Sequence, residues 1–183
     1  MKKIKMALFS LLLFAAFSCN KPEAVFFTDN STAIMANKTG WTATASSETP
    51  DGLENTGKAS AIIDGNITTY WHTDNTSTPV RTYPHWIMID MKSEKNIISV
   101  AVTNRQAPTP NSVGIKLFKL EGSKDGTSFT SMGEFRFAIT NNAQPFPVSS
   151  ANAYRYIKLT ALESQSAVTP HTFLAEIDVF ITK

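Results

Sequence analysis

From Trp41 to the C-terminus, apolar residues never keep a helical spacing for as many as three turns. They come instead in short runs closed by turn residues, the pattern of strands. His85–Met91 sets Trp86, Met88 and Asp90 against Ile87, Ile89 and Met91. Both of its faces are largely apolar, which predicts a strand covered on two sides. Asn96–Thr103 is rich in β-branched residues and predicts the next strand. Val113–Glu121 alternates, with Val113, Ile115 and Leu117 on one face and Lys116, Phe118 and Leu120 on the other. Ser123-Lys124-Asp125-Gly126 is a turn, because Gly accepts positive φ and Asp bonds its own backbone. Tyr154–Thr160 and Leu174–Thr182 complete the set. Many short strands must bury their faces against one another, and two stacked sheets do so. The fold class expected is all-β, an antiparallel β-sandwich. Its expected core is Ile62, Trp71, Trp86, Ile87, Ile89, Ile98, Val100, Val102, Ile115, Leu117, Phe129, Tyr156, Ile157, Leu159, Ile177 and Val179.

The N-terminus reads differently. Lys2, Lys3 and Lys5 precede Met6–Phe17, an almost purely apolar run too short to span a bilayer. A basic start followed by a short apolar stretch is a secretory signal, expected over residues 1–18. Cys19 follows and is the chain's single cysteine, so no internal disulfide can form. Ala16-Phe17-Ser18-Cys19 resembles a relaxed bacterial lipobox, with Ala16 where that motif prefers Leu. The resemblance implies lipid attachment at Cys19 and a place in the bacterial cell envelope, at the outer membrane or cell surface. Diacylation would supply the two chains that stable anchoring needs. Residues 19–37 then form a spacer, in which Val25-Phe26-Phe27 is either a short strand or the start of packing. The formal charge of +2 falls to about −1 once the three leader lysines are removed. A near-neutral chain carries no electrostatic footprint for phosphate backbones, so nucleic acid is not an expected partner.

Composition places the rest among globular proteins, since 42% hydrophobic and 17% charged residues suit neither a disordered tail nor a fibre. The sequence contains no Gly-x-Ser-x-Gly elbow, no His-Glu-x-x-His and no phosphate-binding glycine loop. With Cys19 assigned to the anchor, no thiol nucleophile remains, and catalysis is not expected.

Six short stretches occur in a telling order: Trp41-Thr42-Ala43-Thr44-Ala45-Ser46-Ser47, Ala61-Ile62-Ile63-Asp64-Gly65-Asn66, Thr69-Tyr70-Trp71-His72-Thr73, Pro84–Met91, Ser123–Gly126 and Ala175-Glu176-Ile177. Together they resemble the discoidin, or coagulation factor V/VIII type C, domain, whose bacterial members include the family 32 carbohydrate-binding modules. The resemblance covers residues 38–183 and implies a jelly roll like that of galactose-binding domains, usually non-catalytic. Many such modules are appended to glycosidases or sialidases; over these 183 residues no catalytic domain is expected beside the module.

The resemblance also implies sites. Asp64-Gly65-Asn66 with Thr69 is an oxygen-rich turn that in bacterial relatives often binds calcium, together with an acid on the last strand. By carry-over, Asp64 and Glu176 give carboxylates, Asn66 and Ala175 carbonyls, and Thr69 carbonyl and hydroxyl oxygens, a hard donor set suited to a structural calcium ion. Read by itself, Asp64-Gly65-Asn66 is equally an Asx-type turn and Glu176 a solvated strand residue. For a glycan ligand the resemblance points to His72, Arg105 and Glu54, with Asn111 on the same loop as Arg105. A guanidinium forks to two vicinal hydroxyls in a way lysine does not. Relatives often place Trp or Tyr shortly after the Trp-His-Thr stretch; Asp74-Asn75-Thr76 stands here, so Tyr83 or Phe173 is the candidate aromatic partner. His85 reads as structural and His171 as a loop residue beside Phe173. The expected partner is a glycan or glycoconjugate, possible galactose type included. The alternative is a protein, with the chain acting as an adhesin or as an accessory subunit of a surface glycan-uptake complex among envelope proteins.

Overall fold

The alternating runs become strands in the computed structural model, which describes residues 33–54, 56–148 and 152–183. The expected signal peptide, Cys19 and Val25–Phe27 lie outside the described residues. In chain order the strands are β1 (Ala33–Met35), β2 (Thr42–Ala45), β3 (Trp71–His72), β4 (His85–Lys95), β5 (Ile97–Thr103), β6 (Ile115–Ser123), β7 (Thr130–Arg136), β8 (Gln144–Pro147), β9 (Tyr154–Ser164), β10 (Phe173–Leu174) and β11 (Glu176–Thr182). A 3-10 turn at Ala59–Ile63 is the helical element among the described residues. One sheet has the order β1-β11-β5-β8 and the other β2-β4-β9-β6-β7, and β10 pairs with β3 in a short ribbon. Every ladder between strands is antiparallel.

The core lies between the two larger sheets. Ile87 and Ile89 on β4 face Leu159 and Ile157 on β9, and Val100 and Val102 on β5 face Val179 and Ile177 on β11; all eight are buried. Ile62, Trp71 and Ile115 join them as expected.

Other expected core residues sit elsewhere. Trp86 is 36% exposed and Met88 half-buried, because β4 has one face on the core and the other toward solvent. Ile98, Phe129 and Tyr156 are half-buried, and Ile97 takes the inward position at the start of β5. In β6 the register against β9 shifts between Ile115 and Leu117 and again between Leu117 and Phe118. Such bulges change which residues face inward. Leu117 is therefore half-buried, while Phe118 and Leu120 are fully buried. Phe118 meets Phe146 edge-on at 4.9 Å between centroids, with Phe135 and Phe137 around it.

The sandwich also begins earlier than residue 38. Ala33–Met35 pairs with Thr182–Phe180 as an edge strand, and Ala36, 4% exposed, donates its N–H to Val179 O at 2.8 Å. Residues expected to belong to the spacer thus close one sheet.

Candidate functional site

Trp71 and His72 form a two-residue strand whose alternation sends the indole inward and the imidazole the other way. Trp71 is fully buried, and its Nε1–H donates to Ser47 O at 2.9 Å. The His72 backbone is held on both sides: its N–H donates to Gly57 O at 3.2 Å, and its carbonyl accepts from Thr49 N at 3.0 Å. Gly57 has φ +108°, and a Cβ there would lie 2.8 Å from the Thr49 Cβ, so this close approach requires glycine. On the β10 side, His72 pairs with Phe173.

This framework gathers residues distant in sequence. Nδ1 of His72 lies 2.9 Å from Oε1 of Glu54, with the imidazole side chain only 5% exposed. In the neutral ring Nδ1–H donates to the carboxylate and Nε2 keeps a lone pair. Nε2 of His72 and Oε2 of Glu54 are both buried without a hydrogen-bond partner. Orphaned buried polar atoms cost free energy, so two of them on one hydrogen-bonded residue pair call for an explanation. Phe173 and His171 meet the His72 ring edge-on, at 5.7 and 5.1 Å between centroids, and Tyr70 lies 6.3 Å away. The Arg105 guanidinium stacks over Tyr70 at 4.2 Å and reaches toward Phe173 at 5.6 Å. Burial raises the Tyr70 phenol above its ordinary pKa, and burial followed by the nearby His72 and His85 rings lowers that of His171.

Of the six ligand residues expected from the sequence, Glu54, His72, Arg105 and Phe173 come together. Asn111 braces the loop instead. Its Oδ1 accepts from Val113 N at 3.0 Å, and its carbonyl accepts from Asn104 Nδ2 at 3.4 Å. Asn104 in turn accepts from Arg105 N at 2.8 Å through Oδ1. Tyr83 packs edge-on against His85 at 4.8 Å and lines a neighbouring groove of about 420 Å³ with Leu162, Val168 and Pro170. His85 is buried, as expected of a structural residue, and burial lowers its pKa. Its Nε2–H donates to Pro170 O at 2.6 Å, which fixes the segment carrying His171. Tyr70 and His171 were not among the expected contacts. Tyr70 shares the outward face of His72 two residues away, a relation visible in the alternation. His171 becomes a neighbour only through the β10–β3 pairing.

The Asp64–Thr69 turn leads directly into Tyr70 and His72. Asp64 Oδ1 accepts from Asn66 N at 2.8 Å, the Asx turn expected from the sequence, and Oδ2 accepts from Thr69 Oγ1 at 2.7 Å. The Asn66 carbonyl also accepts from Thr69 Oγ1, at 2.7 Å. Gly65, at φ +77°, donates its N–H to Oε2 of Glu176 at 3.2 Å. Glu176 is 2% exposed, unlike the solvated strand residue that its position alone allowed. Its other oxygen pairs with the Lys38 ammonium, which also reaches Asp178 Oδ1 at 2.6 Å. Burial pushes the Glu176 carboxyl up to about 7, Lys38 opposing and Asp178 and Asp64 adding to the rise. Ala175 is fully buried and donates its N–H to Thr103 O at 3.0 Å. The Ala175–Glu176 corner therefore touches both halves of the cluster, Tyr70–His72 through Gly65 and Asn104–Arg105 through Thr103. Among the described residues no group of three or more His, Cys, Asp or Glu side chains is placed to hold a metal. The oxygens at this turn are two carboxylates and otherwise neutral groups.

Known proteins share this fold. A sialidase of Micromonospora viridifaciens is 32% identical over 128 residues, covering 67% of this chain and 18% of the sialidase. The chain thus spans under a fifth of the length of the curated relatives it matches. The Clostridium perfringens module CpGH89CBM32-5, solved in complex with GalNAc-β-1,3-galactose, superposes with TM-score 0.68 at 28% identity, over 80% of this chain and 99% of that one. The C-terminal domain of a chitobiase from Bacteroides fragilis gives TM-score 0.68 at 31% identity, over 80% and 96%. These neighbours share the antiparallel jelly roll, and family 32 carbohydrate-binding modules stand among them. With the F5/8 type C domain matched over residues 42–174, the strand order and the Trp71–His72 ribbon have a common explanation: the chain belongs to the F5/8 type C domain family.

Proposed function

We propose that this chain is a non-catalytic carbohydrate-binding protein that holds a sugar of galactose type over His72. The observation that carries the reading is the orphaned pair, Nε2 of His72 and Oε2 of Glu54, beside the Arg105 guanidinium. The two orphans are acceptors and Arg105 is a donor, so the complement is a ligand with clustered hydroxyls, each able to give and to receive. Phe173 is 2% exposed and forms an apolar floor, while half-buried Tyr70 and His171 offer the ring edges against which sugar C–H groups pack. The complex of the Clostridium perfringens module with GalNAc-β-1,3-galactose supports the same ligand class. A glycan array probed with wild type and with His72→Ala plus Arg105→Ala tests this. Binding lost in the double variant supports sugar; silence of the wild type across the array with retained affinity for envelope proteins overturns it in favour of a protein partner.

Calcium is proposed as the structural ion of the Asp64–Thr69 turn. Asp64 and Glu176 would hold it by carboxylates, with Asn66, Thr69 and Ala175 giving neutral oxygens. The fit rests on the chemistry of the donor set and on Glu176, a buried carboxylate that shares the Lys38 ammonium with Asp178. When bound, the ion neutralises the two carboxylates. The chain's own part is to fix the turn through Gly65 and so set the direction of Tyr70 and His72.

The lipid anchor at Cys19 and the envelope location are proposed from the leader pattern. Single-module sugar contacts are weak, and many copies tethered to one membrane would supply avidity. Incorporation of labelled palmitate that disappears in Cys19→Ser is the expected result; labelling of neither form would exclude the anchor.

A further inference from the structure

We infer that Lys38 is the chain's resident cation at Glu176, and that it hands this carboxylate over when calcium binds while keeping Asp178. The inference rests on the calcium reading above and adds a competitor to it. The Lys38 side chain is 13% exposed and bridges Glu176 and Asp178, whose side chains are 3% and 20% exposed. Asp64 stands on the facing turn, joined to Glu176 through the Gly65 N–H. Two carboxylates thus share one ammonium, and a third, Asp64, stands beside them on the turn. A divalent ion on Asp64 and Glu176 balances those two charges, and Lys38 on Asp178 balances the third. Without the ion, Lys38 is the cation paired with Glu176 among the described residues, a carboxylate too buried to be left alone cheaply.

The geometry suits such an exchange. The backbone around Lys38 is pinned, since its carbonyl accepts from Trp41 N at 3.0 Å and Ala36 N donates to Val179 O at 2.8 Å. A lysine is a point charge on a flexible four-carbon stem, so the ammonium can leave one acid and keep the other with no backbone movement. The open side of this arrangement is a cavity of about 500 Å³ lined by Met35, Asn37, Lys38, Ile63, Asp64 and Asp178, through which the turn and the lysine are reached together. Lys38 would therefore keep the metal-free fold closed and weaken calcium binding at the same time.

Calorimetric titration with calcium chloride and thermal melts in chelator, on wild type, Lys38→Met and Asp178→Asn, test this. Lys38→Met should bind calcium about tenfold more tightly or better, and in chelator it should melt below wild type. Asp178→Asn leaves Lys38 with Glu176 alone and should bind calcium more weakly than wild type. If Lys38→Met does not fold in chelator, its recovery on adding calcium reads the same dependence. Wild-type and Lys38→Met affinities within twofold, with equal melts in chelator, overturn the inference and leave the calcium reading intact. Calcium binding by neither protein overturns both, whereas binding gained only in Lys38→Met upholds the competition.

Discussion

Replacing Glu54 by Gln separates what this residue does for the fold from what it does for a ligand. Oε1 lies 2.9 Å from Nδ1 of a His72 side chain that is 5% exposed. Glutamine keeps a carbonyl oxygen to accept the Nδ1 proton but puts an NH₂ donor where Oε2 accepts. The imidazole stays fixed, and the group offered to a sugar hydroxyl changes sign. A hydrogen bond to a charged group contributes about 1.5–3 kcal/mol, so sugar affinity should fall roughly 10- to 150-fold. Stability should change by about 0.5 kcal/mol or less, a shift of ~2 °C in Tm at this domain size. Glu54→Ala should lose both functions. A buried Nδ1–H without an acceptor costs about 1–3 kcal/mol, lowering Tm by about 2–4 °C for each kcal/mol. Isothermal titration with the sugar and scanning calorimetry on the same samples read the two effects. A Gln variant that binds as tightly as wild type would refute the reasoning, because Oε2 would then play no part in recognition. A Gln variant that melts as low as the Ala variant would refute the assigned role of Oε1.

Further outcomes follow from the acidic turn and the outer sheet face. Calcium at a hundredfold excess over its dissociation constant should add about 2.7 kcal/mol of stability, so chelator should lower Tm; an unchanged melt together with no metal by elemental analysis removes the ion. Asp90 receives both Nε–H and an Nη–H from Arg155, at 2.8 and 2.9 Å, and this pairing holds its carboxyl well below the usual carboxylate range. A carboxyl with a lowered folded pKa contributes stability above the unfolded value of about 4, and that contribution fades as pH falls toward the folded value. Asp90→Asn should therefore melt below wild type at pH 7, with a smaller gap at pH 2 in denaturation curves; a gap of equal size at both pH values contradicts the pairing.

Period-two alternation made the sandwich legible, because a strand that misplaces its apolar face by one residue exposes all of it. It failed where the backbone breaks the period. The bulges of β6 exchange Leu117 for Phe118 in the core, and nothing in Val113–Glu121 marks the extra residue. Trp86 misled for another reason: its strand has a solvent face, and a large apolar side chain there is tolerated. At the site, Glu54, His72, Arg105 and Phe173 were readable through resemblance, and the antiparallel ladders then brought them together. Tyr70 could have been placed with His72 by alternation alone. His171 and Lys38 could not, since each meets its partner across more than 90 residues, through the β10–β3 ribbon and the β1–β11 edge.

The central claim is that a sugar completes the orphaned pair at His72 and Glu54. A crystal structure of the chain with the strongest glycan from the array tests it most directly. The account predicts one sugar hydroxyl bonded to Nε2 of His72, another within hydrogen-bond distance of Oε2 of Glu54, and the Arg105 guanidinium donating to the same ring. A sugar bound elsewhere on the rim, with both atoms still without partners, would contradict it.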